Sequence, residues 1–339
     1  MNNSTVRIAS AQYRIEKFGS WDALEGHISR WVEEAAQNRA KLMMFPEYAS
    51  MEMAGLPDSR RAQRRSPERH FLGPLPVRPL ERRQALSLFW ASDVVQPLIL
   101  RYLTIFATLA AKHRTYILPG SLPFRHPDGS FTNRAFLFAP DGRAAWQDKM
   151  VLSRWERDFW KMRGGAEVRV FESEYGRIGV NICYDVEFPV VARRQAEAGA
   201  CIILAPCCCD SLRGYYRVRV GARARALENQ MYVVQSPAIG NANWLAEFDR
   251  LVGFAGIYGP PDLGPRENGV VAQGAREQAE WIYGDVDLAA IDRIRGGAGI
   301  ANVSEWGAHM VIGDAVPGNF INVRQASEAL SLVPEQEAS

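Results

Sequence analysis

The stretch RIGVNICYDVEFP, residues 177–189, decides the fold of this chain. An apolar, strand-like run from Arg177 to Ile182 ends at Cys183 in a polar tight turn, and a helical pattern begins near Pro189. A strand, turn and helix in this order hold the turn residue rigidly at the edge of a sheet, facing a cleft. The stretch therefore predicts that Cys183 is a nucleophile.

Two further segments, Phe45-Pro46-Glu47 and Asp148-Lys149, each place a charged residue at the end of an apolar run. An unpaired charge is costly in a dry core, so we expect both charges to face a cleft or to pair with each other. A thiol with a pKa of roughly 8.5 is mostly protonated at neutral pH. Glu47 is a candidate base, and Lys149 is a candidate cation for an oxyanion. Taken singly, each charge is explained as a surface residue and Cys183 as a small buried hydrophobe.

Composition limits the classes of protein to consider. The chain has 339 residues, 47% of them hydrophobic, enough for a large core in one domain or two. Its net charge of +2 does not indicate a nucleic-acid partner. Five cysteines, three of them adjacent at Cys207–Cys209, do not resemble a disulfide framework and favour reduced thiols in the cytoplasm. The three are expected either to be small buried residues or to line a pocket mouth.

The sequence predicts neither a signal peptide nor a membrane span. The N-terminus lacks a basic segment followed by an apolar one. The longest apolar stretch, Val94–Ala111, is interrupted by Gln96, Pro97 and Arg101 and predicts a buried helix. We therefore expect a cytoplasmic protein without a membrane partner.

Short apolar runs alternate with helical patterns along the chain, which predicts an α/β fold with helices on the outer faces of its sheets. Pro140-Asp141-Gly142 predicts a hairpin turn between strands at Asn133–Phe138 and Ala144–Lys149. The segment Asp58–Arg83 has eight arginines, three acids, four prolines and one glycine, and no periodicity. It is interpreted as a surface loop or, alternatively, as a lid or subunit contact.

Other chemistries have little support in the sequence. The five histidines, at positions 27, 70, 113, 126 and 309, are not placed in a usable motif, so a Cys–His pair stays open but unsupported. Cys207–Cys209 lack the spacing of metal ligands, and the chain has neither a GxGxxG nor a phosphate-binding loop. We expect no cofactor and no metal.

These segments resemble the motifs of the nitrilase superfamily of carbon–nitrogen hydrolases. Phe45-Pro46-Glu47 resembles its general-base motif, Lys149 with Glu156 its lysine motif, and Cys183-Tyr184-Asp185 its nucleophile motif. Two later segments are also similar, Ala224–Asn229 followed by Tyr232–Val234, and Trp281–Leu288. The resemblance covers about residues 5–300. The run CYDVEFP, with residues 214–234, is similar to a bacterial subgroup in which some members carry a fused acetyltransferase domain. We expect no such domain in this chain.

The resemblance implies a four-layer α–β–β–α sandwich. We expect a carbon–nitrogen hydrolase domain at 1–300, with an inserted loop or helix region at 52–100. A C-terminal extension at 301–339 is expected to pack at a subunit interface. Dimerisation, or a higher homo-oligomer, is implied through helices at Val190–Ala198 and Tyr216–Asn229.

The resemblance also implies roles for individual residues. Glu47 is expected to deprotonate Cys183, and Lys149 and the backbone N–H of Tyr184 to hold the oxyanion. Glu156 is expected to orient Lys149. The acyl group would be held as a thioester and then released by water.

The predicted substrate is a small linear amide, because Cys-Tyr-Asp resembles the amidase branches more than the Cys-Trp-Glu of nitrilases. Glu187 is expected either to repel carboxylates and favour a cationic amide, or simply to complement the start of a helix. A nitrile hydrolase, an acyltransferase using the same acyl-enzyme and a non-catalytic scaffold are the alternatives.

Overall fold

The computed structural model describes residues 5–57, 95–242, 248, 250–262, 267–297, 300 and 302–306. The chain divides into two compact units, Met1–Val303 and Ser304–Ser339, and almost all of the second lies outside the described residues. The arginine-rich segment 58–83 also lies outside them, as do most of the predicted insertion at 52–100 and extension at 301–339. The assignments made for these regions stay predictions.

Strands and helices alternate along the first unit. Its helices include α1 (Trp21–Gln37), α2 (Val95–His113), α3 (Pro189–Glu197), α4 (Leu212–Glu228) and α5 (Leu288–Arg295). Its strands are β1 (Thr5–Arg14), β2 (Leu42–Met44), β3 (Tyr116–Leu118), β4 (Ser121–Arg125), β5 (Phe131–Phe138), β6 (Ala144–Asp148), β7 (Val170–Ser173), β8 (Gly176–Val180), β9 (Ala200–Cys207), β10 (Tyr232–Ile239), β11 (Gly256–Tyr258), β12 (Val270–Gln273) and β13 (Glu280–Asp287).

The strands form two sheets. In the first sheet the order is β6, β5, then β3 and β4, followed by β2, β1 and β13. Strands β3 and β4 share one position because they pair with different ends of β5. In the second the order is β7, β8, β9, β10, β11 and β12. A short parallel pairing of Tyr13 with Ala238 and of Arg14 with Ile239 joins the two sheets.

The side chains of β1 show how the sheets are layered, because alternate residues of a strand face opposite sides. Val6 and Ile8 pack into the core shared with the second sheet, and the Ser10 hydroxyl donates to the Gln235 carbonyl of β10 at 2.8 Å. Ala9 and Tyr13 face the other side, where they share a core with α1 and α2. β1 is therefore buried on both faces, as a strand inside a sandwich is.

Helices cover the two outer faces. Helix α1 starts at an N-cap, Ser20, whose hydroxyl accepts from the Ala23 N–H, and its buried residues lie on one stripe over the first sheet. Helices α3 and α4 cover the second sheet, with Val218 and Ala222 of α4 in its core. The layers follow the order α, β, β, α, which confirms the predicted fold.

Some predicted boundaries differ from those in the structure. Strand β4 was not predicted because Pro119-Gly120 and Pro123 are strong turn signals, although Pro123 lies in an antiparallel pair with Asn133. Helix α4 begins four positions before the predicted Tyr216, because the Ser211 hydroxyl caps it by accepting from the Gly214 N–H. Strand β12 was also missed.

Gly120 occupies a conformation that the first sheet needs beside Glu47. It lies between β3 and β4 with φ +84°, a left-handed value that glycine adopts without strain. A Cβ at this position would overlap the carbonyl oxygen of Pro46. Gly120 therefore allows the two segments to approach closely, and it sets the position of the chain that carries Glu47.

Replacing this glycine should disturb the site as well as the fold. We expect Gly120→Ala to lower the melting temperature and also the catalytic rate, because backbone strain of about 1–2 kcal/mol is joined by a clash with Pro46. Gly129→Ala is the matched control: its φ is +81°, but nothing lies within 4 Å of the added Cβ. Thermal melts and activity assays of both variants check this, and equal losses of activity would contradict it.

Candidate active site

Four predicted residues meet where several chain segments end. Glu47 follows β2, and Lys149 directly follows β6. Glu156 lies in a single π-helical turn, Trp155–Phe159, a feature often found at functional sites. Cys183 begins a 3₁₀ turn, Cys183–Glu187, just after β8. All four line one cavity of about 280 Å³.

A buried ion cluster forms one wall of this cavity. Lys149 Nζ lies 2.7 Å from Glu47 Oε1, and 3.0 Å and 2.8 Å from the two carboxylate oxygens of Glu156. Each of the three side chains is only 2% exposed. One ammonium thus neutralises two carboxylates only in part, and the cluster carries a net negative charge when all three are ionised.

Further donors hold the two carboxylates unequally. Asn133 Nδ2 donates to Glu47 Oε1 at 2.9 Å and to Glu156 Oε1 at 2.8 Å. Glu156 also accepts from the Tyr48 hydroxyl at 2.6 Å and from the Ser153 N–H at 2.8 Å. Because hydrogen bonds to a carboxylate favour its ionised form, Glu156 is the better stabilised anion.

The pKa values follow this asymmetry. Burial raises the pKa of Glu47 above its usual value, although the Lys149 ammonium opposes the shift. Burial acts on Glu156 in the same direction, but Lys149 and the hydrogen-bond donors outweigh it and lower the pKa of that carboxyl. Burial alone would lower the pKa of Lys149, whereas the two carboxylates raise it well above its usual range. Glu47 is therefore the carboxylate of the cluster that takes up a proton first as the pH falls.

Cys183 lines the cavity with its backbone in a strained conformation. Its φ is +50°, which is uncommon for a residue with a side chain and recurs at active sites. The residue is 9% exposed. A hydrogen bond with the Cys209 thiol, together with burial and the nearby Glu47 carboxylate, raises the pKa of Cys183 well above its usual value. The resting thiol is therefore protonated, and it needs a base before it can attack.

Asp185 ties the turn of Cys183 to the segment after Lys149. Its Oδ1 accepts from the N–H groups of Met150 and Val151 at 3.0 and 2.7 Å, and its Oδ2 accepts from the Ile182 N–H at 3.0 Å. Burial raises the pKa of Asp185 to about 7, against the opposing effects of Lys149 and these donors. One carboxylate thus fixes the backbone after Lys149 relative to the backbone before Cys183.

The two predicted substrate-binding residues also line the cavity. Tyr184 packs edge-on against Phe188, with ring centroids 4.9 Å apart. Glu187 forms an ion pair with Arg217 of α4, which offsets its charge. A substrate in the cavity therefore meets the charge of the ion pair and not that of Glu187 alone. That Glu187 makes the site favour cationic amides remains a prediction. Another wall is aromatic, formed by Tyr48, Trp160 and Phe248.

Three residues of the site were not singled out from the sequence. Asn133 had a usable signal: the predicted hairpin around Pro140-Asp141-Gly142 places Asn133 opposite Lys149, and the Lys149 N–H donates to the Asn133 carbonyl at 2.8 Å. Asp185 was seen only as part of a motif. Tyr48 had no signal, because its contact with Glu156 joins positions far apart in the chain.

Residues 7–295 match the Carbon-nitrogen hydrolase family. The chain belongs to this family. The match confirms the resemblance that the sequence motifs indicated. Among the described residues of this carbon–nitrogen hydrolase, no helix is both long and apolar enough to cross a membrane, and no cluster of three or more potential metal ligands occurs.

Two relatives show the extent of the sequence similarity. "Probable hydrolase YhcX" from Bacillus subtilis is 32% identical over 290 residues, which cover 86% of this chain and 51% of that protein. "Omega-amidase NIT3" from Saccharomyces cerevisiae is 26% identical over 200 residues, 56% of this chain and 65% of that protein. The chain thus spans about half the length of the bacterial relative.

Solved structures show the same fold. Nit3 from Saccharomyces cerevisiae, a nitrilase superfamily member, has a TM-score of 0.63 and 21% identity, covering 87% of this chain and 95% of its own. A mutant of the amidase from Nesterenkonia sp. AN1 in complex with acrylamide has a TM-score of 0.60 and 17% identity, covering 87% and 96%. At these identities the similarity is one of architecture.

Removing the carboxylate of Asp185 should loosen the site. Asp185→Asn replaces a group that accepts three backbone hydrogen bonds with an amide that has a single acceptor oxygen, so a buried N–H loses its partner. We expect a loss of about 1–3 kcal/mol in the free energy of unfolding and a lower turnover number. Chemical denaturation and kinetics measure the two effects. Asp158→Asn, at an exposed ion pair, is the control; unchanged stability in Asp185→Asn would contradict the assigned role.

Proposed function

We propose that this protein is an amidase-type hydrolase that cleaves a small linear amide through a thioester on Cys183. The observation that carries the proposal is the buried cluster of Glu47, Lys149 and Glu156 facing that thiol in one cavity. A protonated nucleophile, a carboxylate of raised pKa and a fixed cation are the groups that acyl transfer needs.

Glu47 is the base in this mechanism. It takes the Cys183 proton as sulfur attacks the amide carbon, and it gives that proton to the nitrogen, which leaves as ammonia or an amine when the C–N bond breaks. The Glu47 carboxylate then takes a proton from the water that attacks the thioester, and that proton returns to the sulfur as the C–S bond breaks. Glu156 is less suited to this role, because its four donors keep it ionised and hold it in place. Glu156 instead orients Lys149, so that the ammonium stays directed toward the cavity.

The developing oxyanion requires fixed positive groups. Lys149, whose pKa is raised well above its usual range by its two carboxylates, remains an ammonium throughout the reaction. The backbone N–H of Tyr184, in the turn that starts at Cys183, is proposed as the second donor. Donors fixed before the reaction need no reorganisation in the transition state, which is the main source of catalysis by such sites.

We favour an amide over a nitrile as the substrate because of the Cys183-Tyr184-Asp185 motif and because of the proteins to which the chain is similar. One relative is named an omega-amidase, and one structural neighbour is an amidase with acrylamide bound. A nitrile hydrolase and an acyltransferase would use the same thioester, and the assay below separates them.

The proposal is tested by intact-mass detection of the acyl-enzyme. Wild-type protein is mixed with a panel of small amides and matched nitriles, quenched in acid and weighed, while ammonia release is followed in parallel. We expect an acyl adduct and ammonia with amides, and neither with Cys183→Ala. Cys201→Ala, which changes a buried cysteine outside the cavity lining, should behave as wild type.

Other outcomes of this assay would point to a different activity. Faster ammonia release from nitriles would identify a nitrile hydrolase, and transfer to an added amine in preference to water would identify an acyltransferase. A folded wild-type protein without adduct or ammonia across the panel would favour the non-catalytic scaffold and refute the proposal.

The pH dependence of kcat/KM should report Glu47. The base works only as a carboxylate, so the rate should fall as the pH drops through its pKa, and burial places that pKa above the usual 4.5. Lys149 should cause no alkaline decline below its usual 10.5, since its pKa is raised. Steady-state kinetics from acid to alkaline pH, with circular dichroism to confirm folding, measure the profile. An acid limb at or below 4.5 would exclude Glu47 as the base.

We also propose that the protein forms a homodimer through α3 and α4. Val190 of α3, with Tyr216, Val220 and Leu227 of α4, are large hydrophobic residues that are 46–67% exposed. Exposed apolar side chains on adjacent helices are typical of a protein–protein contact. Sedimentation velocity of the wild type and of a Val220→Asp variant tests this: a wild type that sediments as a monomer would reject it.

A further inference from the structure

The second sheet brings several thiols to one edge. Strands β8 and β9 are parallel neighbours, with Val180 opposite Leu204. Cys183 follows Val180 by three residues, and Cys207 follows Leu204 by three, so the nucleophile and the Cys207–Cys209 run emerge from the same edge. Parallel strands force this proximity, because their carboxyl ends meet at one edge of the sheet.

The thiols share one buried region. Cys183, Cys207 and Cys209 belong to the same core cluster, and Gln235 Nε2 donates to Cys207 Sγ at 3.6 Å. The Cys209 thiol also helps to raise the pKa of Cys183. Cys208 and Cys209 line the same cavity as Cys183. Cys207, Cys208 and Cys209 are free cysteines, as is Cys183. The proposed hydrolysis uses one thiol, so the partner at Cys209 has no role in it.

We propose that Cys183 and Cys209 form a reversible disulfide when a hydroperoxide enters the cavity, which switches the nucleophile off in a recoverable form. A second thiol in contact with a nucleophilic cysteine is the arrangement that resolves a sulfenic acid before further oxidation. Cys208 lines the cavity too, but it packs against the other core, whereas Cys209 is buried in the same core cluster as Cys183.

The chemistry balances with hydrogen peroxide as the oxidant. The Cys183 thiolate, formed as its proton passes to Glu47, attacks one peroxide oxygen, and the O–O bond breaks to give the sulfenic acid and hydroxide, which takes up that proton as water. The Cys209 thiol then attacks the oxidised sulfur, the S–O bond breaks, and a second water leaves. Two thiols lose two hydrogens, and the peroxide is reduced to two waters. A dithiol reductant restores both thiols.

Mass spectrometry tests the disulfide without relying on turnover. Purified wild-type protein is treated with hydrogen peroxide, alkylated and digested without reductant. We expect an intact protein lighter by two hydrogens and a linked pair of peptides containing Cys183 and Cys209, both reversed by dithiothreitol. This readout stands even if the proposed amidase activity fails, although the first step rests on Glu47 acting as base toward Cys183.

Variants test the choice of partner. In Cys209→Ser, peroxide should drive Cys183 to the sulfinic or sulfonic acid, and neither mass nor activity should recover with dithiothreitol. Cys201→Ser is the matched control. It lies near the start of β9, the strand that Cys209 follows, and its thiol donates to the Arg177 carbonyl at 3.4 Å. It should keep the reversible response of the wild type.

Three results would overturn the proposal. The first is a wild-type protein whose Cys183 gains two or three oxygens without forming a linked peptide. The second is a linked peptide that joins Cys183 to Cys208, with reversal lost in Cys208→Ser rather than in Cys209→Ser. The third is full reversal in a Cys209→Ser variant that melts as the wild type does.

Discussion

The buried ion cluster of Lys149 with Glu47 and Glu156 is the interaction on which the site depends. Removing three charges from water is expensive, and it is offset only when geometry and hydrogen bonding are nearly complete. The three side chains come from segments that follow different elements, so the sheets and the loops between them must hold these segments within a narrow tolerance. The two carboxylates are not equivalent, because Tyr48 and Ser153 donate to Glu156 and help to lower its pKa, whereas burial raises the pKa of Glu47.

A few specific contacts of the surrounding backbone hold these segments in place. Asp185 joins the turn of Cys183 to the chain after Lys149, and Gly120 allows a close approach to Pro46 beside Glu47. Such contacts lie outside the reacting groups but determine where those groups point. Small displacements in these supports therefore reach the chemistry, since proximity effects depend on near-attack geometry.

The same sheet edge has two consequences. It presents Cys183 to the cavity after the end of β8, and it places thiols that follow β9 in the lining of the same cavity. The raised pKa of Cys183 reflects the Cys209 thiol, burial and the nearby Glu47 carboxylate. A protonated thiol in this setting is unreactive until a base removes its proton, although other thiols line the same cavity.

The sequence by itself predicted sheets covered by helices, and it pointed to Glu47, Lys149 and Cys183, because apolar runs and the residues that end them are properties of short segments. The resemblance of its motifs to the nitrilase superfamily implied the four-layer order and Glu156. Even Asn133 was accessible in principle, since hairpin register follows from the turn at Pro140–Gly142. Only the tertiary structure decided that Glu47 is the carboxyl group with a raised pKa, and that Glu187 is paired with Arg217. Those outcomes depend on burial and on partners distant in the chain, which no local pattern encodes.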